Sequence, residues 1–99
     1  KLKNIVIIAK IKIKEEFKNE IYGELVKLYE ATHKCDEGCI QYELHQDLDN
    51  ENSFTFIETW LNNECLDLHL EKEHFKTFVI KIENKIDGLE ISKLEKLNF

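Results

Sequence analysis

The feature that most constrains this chain is the alternation of residues 53–60, which read SFTFIETW. Every second residue from Phe54 to Trp60 falls on one side, and Thr55, Ile57 and Thr59 fall on the other. Successive side chains of a β-strand point to opposite faces, so this period of two predicts a strand. The alternation also predicts a sheet with two different faces. One face packs against helices, and the other must be covered by something else.

Three more segments have strand character. Residues 4–13 are rich in β-branched side chains and carry a continuous apolar stretch at their centre, which is typical of a strand covered on both faces. Residues 39–46 alternate, and residues 89–97 close the chain as a last strand. A β-bulge near Ser92 and Lys93 would bring the apolar residues of that last strand into one register.

Helical spacing occupies the segments between these strands. Residues 15 to about 33 form an amphipathic helix, and Asn62 or Asn63 is the expected N-cap of a short helix that carries Leu66, His69 and Leu70 on one face. A further helix is expected up to Gly88. Its apolar stripe consists of Phe75, Phe78, Val79, Ile82 and Ile86.

The resulting order is β-α-β-β-α-β, which is the ferredoxin-like α+β fold with a four-stranded antiparallel sheet. The chain of 99 residues is expected to form one domain, residues 1–99. Both helical segments cover the same sheet face. We expect a second copy to cover the other face, sheet against sheet, in a homodimer.

Composition excludes several partners. The formal net charge is −6 and the chain contains no arginine, so a nucleic-acid partner is not expected. No apolar run approaches the ~18 residues that span a bilayer, so no membrane partner is expected either. The three cysteines, Cys35, Cys39 and Cys65, are an odd number. Free thiols fit a reducing compartment, and we predict a cytoplasmic location.

The candidate chemistry lies at the end of the third strand and in the helices after it. Strand parity places Glu58 and Trp60 on one face, and helical spacing points His69 toward the same region, with His74 and Phe75 close behind. A carboxylate, an indole and imidazoles around an aromatic-lined cavity would hold a flat molecule and offer an acid or base. Simple core packing of the tryptophan and the histidine is the competing interpretation.

A metal site is not predicted from spacing. His69 and His74 are five residues apart, which does not place both on one helix face, and no third ligand is evident. A serine triad and a glycine-rich phosphate loop are also absent from the sequence.

Several stretches together resemble the antibiotic biosynthesis monooxygenase family. They are Glu37-Gly38-Cys39-Ile40-Gln41-Tyr42-Glu43-Leu44, Phe56-Ile57-Glu58-Thr59-Trp60, Leu66-Asp67-Leu68-His69 and His74-Phe75. The resemblance implies a dimeric α+β barrel with a pocket in each subunit between the sheet and its helices. It also implies members that oxidise quinol-like or polycyclic aromatic molecules with dioxygen and without a metal or flavin.

The resemblance further suggests roles for individual residues. His69 or His74 would be the catalytic base, and Glu58 would orient it. The wall that binds the aromatic ring would consist of Trp60, Tyr42, Phe56 and Phe75. No cofactor is expected, because the anion of a phenol or hydroquinone can itself reduce dioxygen.

One position departs from the family pattern. Oxygenases and haem degraders of this group carry an asparagine on the first strand near the pocket, where this chain has Ala9. Two alternatives therefore stay open: an isomerase acting on a small hydroxyketone, and a module that binds a small ligand or haem without turnover.

Overall fold

The computed structural model describes residues 3–99, and its elements follow the expected order. The strands are β1 (Ile5–Ile13), β2 (Cys39–Gln46), β3 (Ser53–Trp60) and β4 (Ile86–Glu95). The helices are α1 (Lys18–Cys35), α2 (Asn63–Glu71) and α3 (Glu73–Ile82). The strands form one antiparallel sheet in the order β2-β3-β1-β4, which confirms the predicted ferredoxin-like α+β fold.

Strand register explains which side chains face the helices. Glu58 of β3 is paired with Ile7 of β1 on one side and with Tyr42 of β2 on the other. Ala9 is paired with Phe56. All five of these residues are buried, because side chains that are paired across neighbouring strands share a face. The helix-covered face of the sheet is therefore the one that carries the candidate site.

The first helical segment begins and ends close to the predicted positions. A single 3₁₀ turn, Glu15–Phe17, leads into α1. Asn62 is confirmed as the N-cap of α2, since its side-chain oxygen accepts a hydrogen bond from the backbone N–H of Cys65 at 2.9 Å.

Two expectations at the end of the chain were wrong. The last helix ends at Ile82, and Asn84 then takes a positive φ of 63°, so Ile86 belongs to β4. The bulge lies at the start of β4, where the pairing shifts between Lys12 and Ile13, and it does not lie near Ser92 and Lys93. Ile86 fits the helical stripe in sequence, but in the fold it pairs with Ile13.

The sheet face away from the helices is only partly covered within one chain. Thr55, Ile57 and Thr59 of β3 are half-buried there, and Leu94 of β4 is 48% exposed. This surface agrees with the expected alternation. The homodimer that would cover it stays a prediction.

Among residues 3–99, none of the helices combines the length and the apolar character that crossing a lipid bilayer requires.

Candidate functional site

The site begins at the turn between α1 and β2. Asp36 follows the last residue of α1, and Gly38 adopts a positive φ of 73° before β2 starts. A Cβ at position 38 would overlap the Sγ of Cys65, so only glycine fits. The Gly38 carbonyl accepts a hydrogen bond from the N–H of Leu61 at 2.8 Å, which ties this turn to the end of β3. The turn therefore lies against the start of α2 at Gly38, and Asp36 contacts His69 near the end of that helix.

Asp36 joins the two histidines that the sequence analysis singles out. Its Oδ2 is in close contact with Nδ1 of His69, and its Oδ1 lies 2.9 Å from Nε2 of His74. The side chains of Asp36 and His69 are 1% and 2% exposed, whereas that of His74 is 19% exposed. The three residues form a chain of ionisable groups that runs from the protein interior toward the surface.

The protonation of His69 follows from its surroundings. A carboxylate only accepts hydrogen bonds, so the Nδ1–H of His69 donates to Asp36. Burial lowers the pKa of His69, and the neighbouring Asp36 opposes that shift only in part. His69 is therefore held as a neutral imidazole in a fixed tautomer.

A second polar pair lies deeper, at the end of β3. The indole N–H of Trp60 donates to Oε1 of Glu58 at 2.9 Å, and both residues are buried. Desolvation raises the pKa of the Glu58 carboxyl to about 7, although the hydrogen bond from Trp60 acts in the opposite direction. We expected Glu58 to orient a histidine. Instead, Glu58 is hydrogen-bonded to the indole of Trp60, and Asp36 contacts the two histidines.

Aromatic rings enclose His69. The ring centroids of Trp60, Phe75 and Tyr42 lie 4.6, 5.0 and 5.4 Å from that of His69. Phe56 extends this cluster, with its ring 4.8 Å from that of Tyr42. Burial also raises the pKa of Tyr42, so its hydroxyl stays protonated. The residues predicted to bind an aromatic ring therefore do come together.

These rings are packed against one another. Trp60, Tyr42 and Phe56 are at most 2% exposed, so each is surrounded by protein atoms. His74 also lines an accessible groove between α1 and α3, which has a volume of about 430 Å³. The groove residues are Glu24, Lys27, Leu28, Ala31, Glu73, His74, Thr77 and Phe78. His74 is therefore the member of the site that a molecule in the groove can reach.

Cys39 is not an activated nucleophile. Burial, with Asp36 and Glu58 nearby, raises the pKa of the Cys39 thiol to about 11. Because the thiolate is the reactive form, Cys39 is inert at neutral pH.

The structure brings all of the predicted site residues together and adds one. Glu58, Trp60, His69, His74 and the predicted aromatic residues form one continuous cluster. Asp36 was missed, because it lies 33 residues before His69 and reads as part of a polar turn. Asp36 directly follows a helix and lies in a polar turn, so the neighbouring sequence does not indicate that its side chain is buried.

Relatives resemble the chain over most of its length. An uncharacterised protein of Synechocystis, sll1783, is 35% identical over 77 residues, which make up 78% of this chain and 52% of that protein. The chain thus spans about half of that relative. A Bacillus subtilis protein named "Putative monooxygenase YcnE" is also 35% identical over 77 residues, covering 78% of this chain and 80% of that one.

Solved structures share the same architecture. A conserved protein from Methanosarcina mazei superposes with a TM-score of 0.88 and 32% identity, covering 97% of this chain and 95% of its own. The family model described as antibiotic biosynthesis monooxygenase matches residues 4–81, a span that contains every residue of the candidate site. On this evidence the chain belongs to the antibiotic biosynthesis monooxygenase family.

Proposed function

We propose that the chain is a monooxygenase that oxidises quinol-like or polycyclic aromatic small molecules without a metal or organic cofactor. The observation that carries this proposal is the position of His74, with one side toward the groove between α1 and α3 and Nε2 beside the buried carboxylate of Asp36. Family membership and the name of the Bacillus subtilis relative support oxygen chemistry.

The groove suits a flat molecule with a polar edge. Its apolar residues include Leu28, Ala31 and Phe78, while Glu24 and Lys27 lie at the same groove. A volume of about 430 Å³ falls within the range of small-molecule sites. An aromatic ring against the apolar part would bring a phenolic hydroxyl toward His74.

His74 acts as the general base in this proposal. It takes the phenolic proton, and Asp36 stabilises the imidazolium that forms, as a buried carboxylate does for a catalytic histidine. His69 holds the other carboxylate oxygen, so Asp36 stays fixed while His74 gains and loses its proton. The packed rings of Trp60 and Tyr42 behind His69 exclude water from this side.

The substrate anion supplies the electrons. In the overall reaction a hydroquinone and dioxygen give a hydroxyquinone and water, so one oxygen atom enters the product and the other leaves as water. The substrate provides every electron that the reduction of dioxygen needs. The protein contributes proton removal, orientation and exclusion of water.

A second candidate function is favoured by Ala9. This residue lies on the helix-facing side of β1, opposite Phe56, and brings no polar side chain to that face. Isomerisation of a small hydroxyketone needs only acid–base catalysis, which His74 would supply with Asp36 behind it. Turnover of such a substrate without oxygen uptake would favour this alternative.

The direct test is oxygen consumption by chelator-treated protein with a panel of hydroquinones and anthrone-type polycyclic substrates. We expect uptake above the buffer rate, and one labelled oxygen atom in the product when isotopically labelled dioxygen is supplied. His74→Gln is expected to lower kcat by about 100-fold or more, since a positioned general base contributes ~10²–10⁴-fold.

His45→Gln is the matched control. His45 is an exposed histidine on β2 and lies outside the cluster around Asp36, so this variant should keep the wild-type rate. Absence of oxygen uptake by folded wild-type protein across the panel would refute the proposal. Equal loss of activity in His74→Gln and His45→Gln would refute the role of His74.

A further inference from the structure

One contact of Asp36, the one with His74, is not explained by its proposed role in proton transfer. Oδ1 of Asp36 and Nε2 of His74 are only 2.9 Å apart, yet neither atom has a hydrogen-bond partner within residues 3–99. Both atoms are buried away from solvent. Buried polar atoms without a partner are rare in native proteins, and an ion is one of the recognised explanations.

The geometry around these two atoms is that of a ligand set. One nitrogen of His69, one nitrogen of His74 and one carboxylate oxygen of Asp36 all lie within 4.8 Å of one another. Ligand atoms that are ~2.0–2.1 Å from a tetrahedral zinc ion are separated by roughly 3.3 Å. The three atoms, all within 4.8 Å of one another, are therefore close to the spacing that one ion requires.

We propose that Asp36, His69 and His74 form a binding site for a divalent transition-metal ion of the zinc class. Imidazole nitrogen and carboxylate oxygen are ligands that this ion prefers. Three protein ligands leave one position of a tetrahedral ion open for water or another ligand. His74 lines the groove between α1 and α3, so the site borders that groove. The spacing of the two histidines in the sequence does not reveal this site, because the third ligand comes from the turn after α1.

The surrounding residues hold two of the three proposed ligands in position. The ring of His69 is enclosed by Trp60, Tyr42 and Phe75, which restrict its rotation. The turn that carries Asp36 is fixed by the hydrogen bond between Leu61 and Gly38. Ligands that are held by their surroundings lose little conformational freedom when the ion binds.

The site itself follows from geometry and does not depend on the proposed reaction. Its consequence for activity rests on the proposed function: an ion bound between Oδ1 of Asp36 and Nε2 of His74 takes away the carboxylate that would stabilise the His74 imidazolium, so His74 becomes a weaker base. The metal-free chain is then the active form, and a zinc-class ion is an inhibitor.

Calorimetric titration of the chelator-treated full chain with Zn²⁺, without substrate, tests the site. We expect one ion per chain. His74→Gln should weaken binding by more than about 100-fold, because even the loss of an outer-shell partner costs ~10–100-fold in affinity. His45→Gln, which removes an exposed histidine, should leave the affinity unchanged. Circular dichroism confirms that each variant is folded.

Co²⁺ identifies the ligands spectroscopically. A tetrahedral site of nitrogen and oxygen ligands gives visible bands, which should disappear in Asp36→Asn. A thiolate-to-cobalt charge-transfer band would instead assign the ion to a cysteine and overturn the proposal. The proposal also fails if the wild type shows no stoichiometric binding, or if His45→Gln weakens binding as much as His74→Gln. Since none of these measurements uses a substrate, their failure is separate from failure of the proposed reaction.

Discussion

Within residues 3–99, the buried carboxylates of Asp36 and Glu58 have very different partners. The side chain of Asp36 is 1% exposed and contacts two imidazoles. Glu58 is 5% exposed and accepts one hydrogen bond, from the indole of Trp60. Asp36 lies on a turn next to the groove, whereas Glu58 lies in the middle of the sheet, between β1 and β2.

The difference shows that burial alone does not decide what a carboxylate does. One N–H donor does not offset the desolvation of Glu58, whose pKa rises to about 7, so this group is neutral over much of the acidic range. Asp36 contacts His74, an imidazole that can take up a proton, and this suits a carboxylate that stabilises an imidazolium. We therefore propose that Asp36 supports proton transfer and that Glu58 has a mainly structural role.

Asp36→Ala should have the largest effect. The substitution leaves the buried His69 without its hydrogen-bond partner and opens a cavity beside His74. We expect unfolding free energy to fall by about 2–4 kcal/mol, measured by urea denaturation. Asp67→Ala is the matched control on the exposed face of α2 and should change stability by less than about 0.5 kcal/mol. Equal effects of the two substitutions would contradict the assignment.

Glu58→Gln should have a smaller effect that depends on pH. The pKa of Glu58 rises from 4.5 to about 7 on folding, so the folded chain retains a proton that the unfolded chain has lost in that interval. Stability of the wild type therefore falls as pH rises from about 4.5 to about 7, and the loss persists at higher pH. Glutamine cannot ionise and can still accept from Trp60.

The variant should thus match the wild type near pH 4 and be more stable by roughly 1–3 kcal/mol at pH 8. Urea denaturation at both pH values measures the difference. A variant that is less stable than the wild type at pH 8 would mean that the carboxylate of Glu58 has a favourable partner beyond Trp60.

Glu95→Gln should have the smallest effect and sets the baseline for a carboxylate at the surface. Glu95 and Lys3 form an ion pair at 2.7 Å, but their side chains are 47% and 53% exposed. Solvent screening reduces such a pair to ~0–1 kcal/mol, and we expect a change below about 0.5 kcal/mol in the same urea assay. A larger loss would show that contacts at the end of β4 matter more than their exposure suggests.

Local patterns predicted the elements that face the site. The bounds of β2 and β3 agree with the alternation in the sequence, and Glu58 and Trp60 lie on the helix-covered face as their parity requires. The period of a strand is fixed by backbone geometry, so it is visible without knowledge of the fold. The same reasoning failed at Ile86, since its pairing with Ile13 depends on a strand far away in sequence.

The sequence by itself determined the α+β class, the order of the elements and the residues that share the helix-covered face, because these follow from periodicity along the chain. Only the tertiary structure decided that Asp36 holds His69 and His74 and that Glu58 is bonded to Trp60. Such contacts form between segments that are distant in sequence. Which residues come into contact depends on how turns and helix ends pack in the folded chain. Local sequence patterns carry no information about that packing.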